Sequence, residues 1–520
     1  MTDYSENNKR IAKNTMMLYC RMLFSMLVSL YTSRVILDAL GVEDFGIQNV
    51  VGGFVSMFSL ISSSLSSSVG RFLTFELGTG DSESLKKVFS TSVLIHIVLA
   101  IIVLVLSETL GVWFLNNKMV IPENRIYAAN WVFHASILTF ILGLLSVPYN
   151  ALIVAHERMS AFAYIGVLEI VLKLVIVLFI AYCPLEFDRL IVCSFLLMGL
   201  SVLMRYIYVS YCRRNFDESK IRITFDKKYW KEISAFSAWN FIGCSALLLK
   251  NQGVDILLNM FFGPVVNAAR GIATTVNGAI SKFSGNFMTA LIPQITKSYA
   301  SQDLQYSYSL VQRGSRFSFY IMIFFAFPII FETEFILDLW LKQYPEHSVN
   351  FVRLILILSI FENLSRTLVV LLSATGKIRN YQLVVGIVSL LNFPICYMVL
   401  TLGTMPEIVF LIAIFIECCC LFLRLIFLKK MLGFSIKNYL ENVLWNIFKV
   451  SFFIIVPTLI VYKFMPQPSW TNFLVVIFVN IISSLIAVFY FGCSINEREF
   501  VLTKVCEGFR KVFSIYKING

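Results

Sequence analysis

Residues 76–90 read ELGTGDSESLKKVFS and residues 297–312 read KSYASQDLQYSYSLVQ. A shift of 222 positions lays one on the other with Asp81 on Asp303, and the same shift carries Leu40-Gly41 onto Phe262-Gly263 and Ser62 onto Ser284. A shift of 219 lays AHERM (155–159) on ATGKI (374–378). Identities are few, but hydropathy and loop length agree around each match, as they do in bundles built by duplication. The pattern implies two parallel six-helix lobes with a pathway between them.

The rest of the chain fits that plan. It is 58% hydrophobic and 14% charged, with a mean hydropathy of +0.78, against roughly 45–50% apolar and about 25% charged in soluble domains. The class expected is therefore an all-α polytopic membrane protein. Apolar runs of about 20 residues predict spans near 14–37, 46–68, 88–112, 127–147, 161–183, 189–211, 233–258, 267–290, 315–339, 351–373, 380–402, 406–428, 446–464 and 471–493. Grouped by the repeat, these give an N-lobe over 1–211, a cytoplasmic linker over 212–232, a C-lobe over 233–430, and a terminal helix pair with a tail over 431–520. The polar start MTDYSENNKRIAK lacks the features of a cleavable signal, so the first helix is expected to direct membrane insertion.

A net charge of +12 invites a nucleic-acid reading, which the distribution of the charge opposes. Basic residues crowd one alternate set of loops, including Arg213, Arg214, Lys220, Arg222, Lys227, Lys228 and Lys231. The opposite set holds only Lys118, Arg125 and Lys342, with Lys463 at an edge. The positive-inside rule then puts both termini in the cytoplasm, and no nucleic-acid partner is expected. The eleven cysteines lack a CxxC spacing, and His96, His134, His156 and His347 are dispersed, so neither a metal site nor a cofactor is expected. No P-loop or GxSxG motif supports an ATPase or a hydrolase.

Ionisable residues within spans are the candidate machinery, because each is costly in the membrane and tends to face a bundle interior or an aqueous cavity. Glu169 with Lys173, and Glu362 with Arg366, stand four apart in the acid-before-base order that favours pairing on one helix face. Arg21, Arg270 and Lys282 lack an acid at helical spacing, and Lys250 and Asp255 point about 140° apart on their helix. With Arg34 and Arg71 these cations form the candidate anion-binding set, against the alternative that the outer ones snorkel to an interface. Asp255 is the candidate coupling-ion site, against a plain salt bridge to Arg21 or Arg270. The serines of SLISSSLSSSVGRF (59–72) read either as small residues for close helix contact or as a wetted vestibule ending at Arg71.

Two lobes plus a terminal pair, the segment SRVILDALGVEDFGIQNVVGGF and the Ser-rich helix ending RFLTFELGTGD together resemble a known family. It is the polysaccharide-transporter branch of the multidrug/oligosaccharidyl-lipid/polysaccharide exporter superfamily, most closely the O-antigen (lipid-linked oligosaccharide) flippases. The resemblance implies a bacterial inner-membrane protein that turns an undecaprenyl-pyrophosphate-linked oligosaccharide, a unit of O-antigen lipopolysaccharide, capsule or exopolysaccharide, from the inner to the outer leaflet by alternating access. Expected partners are that polyprenyl-pyrophosphate-linked glycan, membrane lipids, and the glycan polymerase and glycosyltransferases of the same pathway, with the chain acting as a monomer. The alternatives are a cation-coupled drug or small-molecule antiporter, which an acidic cavity would favour, and a membrane polymerase or ligase of surface glycans, which would need a large external loop that is missing here. A non-enzymatic protein is expected.

Overall fold

A computed structural model describes residues 2–56, 58–117, 121–183, 186–220, 225–341, 343–464, 469–495 and 497–499. Among these the secondary structure is helical, with no strand. In chain order the α-helices are α1 (Thr2–Ser56), α2 (Ser59–Thr79), α3 (Ser82–Leu106), α4 (Val112–Asn117), α5 (Ile126–Ala155), α6 (Met159–Tyr182), α7 (Arg189–Asn215), α8 (Lys227–Phe262), α9 (Pro264–Ala300), α10 (Leu304–Phe331), α11 (Thr333–Leu341), α12 (Ser348–Ala374), α13 (Arg379–Leu390), α14 (Asn392–Thr401), α15 (Ile408–Leu432), α16 (Ile436–Tyr439), α17 (Trp445–Phe464) and α18 (Trp470–Ala487).

Ten helical stretches among the described residues are long and apolar enough to cross a membrane. The expected spans 14–37, 46–68, 233–258 and 267–290 are not in that set, although they too are helical. They lie in the helical segments α1, α2, α8 and α9. The eleventh expected span is interrupted at Leu391, just ahead of Pro394, whose ring would clash with the carbonyl four residues back in a continuous helix. Exposed apolar side chains such as Phe415, Phe452 and Leu485 cover the outer surface, as a lipid-facing exterior requires.

The internal repeat is written into the backbone. Gly41 and Gly263, 222 apart, both have left-handed φ, at 78° and 80°. Gly80 and Gln302, again 222 apart, have φ of 78° and 62°, and Glu157 and Gly376, 219 apart, have 58° and 74°. The polar segments 76–90 and 297–312 do the same job twice. Asp81 accepts from the backbone N–H groups of Glu83 and Ser84 at 3.0 Å and starts α3, while Asp303 accepts from Tyr306 N–H at 3.0 Å and starts α10. A carboxylate satisfying orphan donors there fixes where each helix begins.

The chain forms two compact units. The first contains Met1–Leu249, Thr289–Ser307 and Val370–Ile387, so the turns joining α9 to α10 and α12 to α13 belong with the N-terminal helices. One core of this unit is built from Ile47, Val51, Val132, Phe133 and Ile137, and a smaller one from Leu18, Met159 and Ala290. Arg125 locks three connections at one end, bonding Asp188 at 2.6 Å and Asp44 at 2.7 Å. The second unit contains Lys250–Met288, Tyr308–Val369 and Val388–Gly520.

Candidate functional site

Within the first unit, the ends of α2 and α9 meet. A Cβ on Gly78 would lie 2.7 Å from Ala300 Cβ and 2.8 Å from the Lys297 carbonyl oxygen, so only glycine permits this approach. Gly78 and Ala300 are themselves 222 apart, which makes the junction a contact between equivalent points of the repeat.

Each side of the junction is then tied down by the turn of the opposite repeat. The 155–158 turn places Glu157 against α9, where its carboxylate takes the Lys297 ammonium at 2.7 Å, the Arg10 Nε at 2.8 Å and the Gln294 side-chain amide. Asn14 Nδ2 donates to the Glu157 carbonyl at 3.3 Å. The Glu157 side chain is 1% exposed. The 374–376 turn meets α2 through Arg71, whose Nη2 donates to the Ala374 carbonyl at 2.8 Å while the guanidinium lies over Phe72, Phe75 and Phe236. A Cβ at Gly376 would lie 2.8 Å from Arg71 Nη2. Arg71 is therefore a tie between two elements rather than an open lip for an incoming anion.

The serine run divides its labour. Ser64 Oγ donates to the Ser237 carbonyl at 2.8 Å and Asn240 Nδ2 donates to the Ser64 carbonyl at 3.3 Å, joining α2 to α8. Ser68 bonds back to Ser64 at 2.9 Å, whereas Ser63, Ser66 and Ser67 are exposed. One face of the run packs against α8 and the other is exposed. A separate cavity of about 320 Å³ in this unit is lined by neutral polar groups, Gln48, Ser136, Thr139 and Ser194, with Val55, Phe140 and Leu197.

The other candidate residues divide between the two units. In the first unit, Arg21 lies over the Phe162 ring at 4.5 Å and against Gly166, where a Cβ would sit 2.9 Å from its Cδ. The side chain of Arg34 lies outside the described residues. In the second unit, Lys250 and Arg270 are buried, at 4% and 7% exposure. Arg270 Nε stands 3.1 Å from Asp255 Oδ1, so Asp255 sits in an ion pair, and its side chain stays 41% exposed. Lys282 is exposed.

The two i,i+4 pairs expected from spacing, Glu169 with Lys173 and Glu362 with Arg366, do not close to salt bridges among the described residues. The buried intramembrane pair is instead Glu417 with Arg424 at 2.5 Å, seven residues apart on α15, bridged by Ser365 of α12, which donates to Glu417 at 3.0 Å and accepts from Arg424 at 2.7 Å. Seven residues are about two helical turns, so a long arginine can reach back along the same face. Sequence reasoning missed Arg424 and Glu157. For Glu157 one signal was present: an acid stands where the other repeat has Gly376, at a position whose φ favours glycine.

Residues 9–299 match the model of a family described as polysaccharide biosynthesis protein. The fold is similar to that of a MATE transporter crystallised in a bent conformation (TM-score 0.71, 11% identity, covering 82% of this chain and 96% of that one). It is also similar to an outward-facing multidrug resistance MATE family transporter of the MOP superfamily (TM-score 0.70, 11% identity, 82% and 96%). A third likeness is to a MOP superfamily transporter from Pyrococcus furiosus described as having a binding pocket of reversed polarity (TM-score 0.68, 11% identity, 81% and 96%). Comparison with curated protein sequences finds no significant match.

Proposed function

The chain belongs to the polysaccharide biosynthesis protein family, and from that premise we propose that it is a transporter that moves a polyprenyl-pyrophosphate-linked oligosaccharide from the inner to the outer leaflet of the bacterial cytoplasmic membrane. The termini and the Gly78/Ala300 junction lie on the cytoplasmic side in this reading, where positive loop charge concentrates. No catalytic role is assigned to any residue.

The observation that carries the substrate class is the pair of buried cations, Lys250 and Arg270, on consecutive helices. Arg270 is held ready by Asp255, a partner only partly covered. A pyrophosphate offers several acceptor oxygens that a guanidinium can grip with two parallel bonds, and it can take the place of the single carboxylate. Lys282 extends the anion-binding set in the second unit, Arg21 is a separate candidate in the first, and Asp255 acts as a counter-ion exchanged for substrate rather than as a dedicated coupling-ion site. An organic cation would be repelled by the same residues, which disfavours the drug-antiporter reading.

Access at the cytoplasmic end is controlled by the two crossed ties, Glu157 on α9 and Arg71 on the 374–376 turn. Breaking either tie weakens the hold that keeps α2 and α9 together at Gly78 and Ala300. The test is complementation of a flippase-deficient strain with wild type, Arg21→Ala and Arg270→Ala, scored for surface glycan and drug resistance. Loss of glycan in both variants, with drug sensitivity unchanged, is expected. Normal glycan export in both variants would refute the cationic mechanism.

A further inference from the structure

A second basic site lies away from the transport machinery, within the second unit, between α10 and the terminal helix pair. Arg313, Arg316, Lys449 and Arg498 line a cavity of about 500 Å³, together with the side-chain amides of Asn442 and Asn446. Among the described residues, one carboxylate forms salt bridges with this group. Glu497 takes Arg316 Nη2 at 3.2 Å and Arg313 Nε at 3.4 Å. Neither Lys449 nor Arg498 has a carboxylate within salt-bridge distance among the described residues.

Arg316 and Arg498 are held in place by backbone carbonyls. Arg316 is buried and donates to the Gly492 carbonyl at 3.0 Å, while Arg498 donates to the Cys493 carbonyl at 3.1 Å and the Tyr490 carbonyl at 2.5 Å. The Nε of Arg316 is buried without a hydrogen-bond partner. Two π-helical turns, Leu440–Leu444 and Val488–Gly492, border the same cavity. Such turns are rare and frequently mark functional sites. Four cations lining one cavity, with one carboxylate in salt-bridge contact among the described residues, repel one another, and an anion in the cavity would relieve that.

The surroundings indicate which anion. Trp445 and Tyr490 are exposed beside the cavity, as interfacial aromatics are at headgroup depth. Next to them Phe448, Phe452 and Ile495 present an exposed apolar surface. We propose that this cavity binds the phosphate of an anionic phospholipid, with the acyl chains lying along Phe448 and Phe452, so that the terminal helix pair is a lipid-recognition element. Basic pockets between membrane helices suit such headgroups, and each cation near the surface contributes enough that losing two weakens binding roughly 25-fold.

The test is thermal unfolding of the full chain in neutral detergent with added phosphatidylcholine, phosphatidylglycerol or inorganic phosphate, for wild type and for Lys449→Gln/Arg498→Gln. Neither of those two positions carries an ion pair whose loss would unfold the protein. Phosphatidylglycerol is expected to raise Tm above the phosphatidylcholine value in wild type, with half-maximal effect at roughly 25-fold higher lipid in the double variant. Equal Tm values with the two lipids, or an unchanged response in the double variant, would overturn the proposal. Inorganic phosphate matching the phosphatidylglycerol effect would assign the cavity to a soluble anion and overturn the lipid as its ligand.

Discussion

Replacing Glu157 by glutamine keeps the shape of the side chain and removes the charge that binds Arg10 and Lys297. Lys297 is 26% exposed in this contact and Arg10 is 50% exposed, so the lysine loses most and the arginine little. Removing one partner from a buried pair costs about 3–5 kcal/mol, and an exposed pair contributes about 0–1 kcal/mol. With Lys297 only partly buried, about 3 kcal/mol is a fair value for the node as a whole. That free energy is present only while the 155–158 turn sits on α9, so its loss shifts the equilibrium away from the closed junction by roughly 150-fold. Glycine at the same position separates two effects. It relieves a left-handed backbone worth about 1–2 kcal/mol yet still deletes the carboxylate, so Glu157→Gly should open the junction less than Glu157→Gln. The assay is electron–electron distance measurement between spin labels at Ser82→Cys and Ser301→Cys, both exposed positions just past the helix ends that meet, in a background with the eleven native cysteines replaced. Wild type should give mainly the short distance, and Glu157→Gln mainly a longer one. Identical distributions in all three would refute the idea that this carboxylate closes the cytoplasmic end.

Gly78→Leu drives a side chain into Ala300 and the Lys297 backbone, so it should block closure and lengthen the distance between spin labels at Ser82→Cys and Ser301→Cys. Arg424→Ala strands the buried Glu417 carboxylate and should cost about 3–5 kcal/mol, read as a fall in Tm, whereas Glu417→Leu/Arg424→Leu should recover much of that loss. In the connection after α7, burial alone would raise the Glu218 carboxyl, but the hydrogen bond with His156, helped by Glu218's own backbone, outweighs it and holds the group below its ordinary value of 4.5. A depressed carboxyl stabilises fully above that ordinary value and loses its contribution as pH falls through the depressed one. Protection of the amides at residues 216–220, taken relative to the intrinsic exchange rate at each pH, should therefore fall below about pH 4.5 in wild type, and show little such acid dependence in Glu218→Gln.

What the sequence discloses, and what it hides, divides along range of interaction. Asp81 and Asp303 can be matched by inspection of the chain because a helix cap is decided by residues two or three positions away. Gly41 and Gly263 can be matched because a sharp reversal requires a residue tolerant of positive φ. The Glu157 node is hidden because its partners, Gln294 and Lys297, lie 137 and 140 residues away along the chain. Spacing misleads at Glu362 and Arg366, which share a helix face without bonding, and it overlooks Arg424, whose reach of seven residues falls outside the usual i,i+4 search. Arg71 is legible as a cation following the serine run of α2, but its engagement with the Ala374 carbonyl depends on a turn 303 residues away.

The measurement that bears most directly on the central claim is flipping in reconstituted proteoliposomes, using a fluorescent oligosaccharide linked to polyprenyl pyrophosphate and an impermeant quencher, for wild type and Arg270→Ala. Wild type should expose the glycan to the quencher far faster than empty liposomes, and Arg270→Ala should approach the empty-liposome rate. A wild-type rate no faster than empty liposomes, or an Arg270→Ala rate equal to wild type, would contradict a lipid-linked glycan transporter built on buried cations.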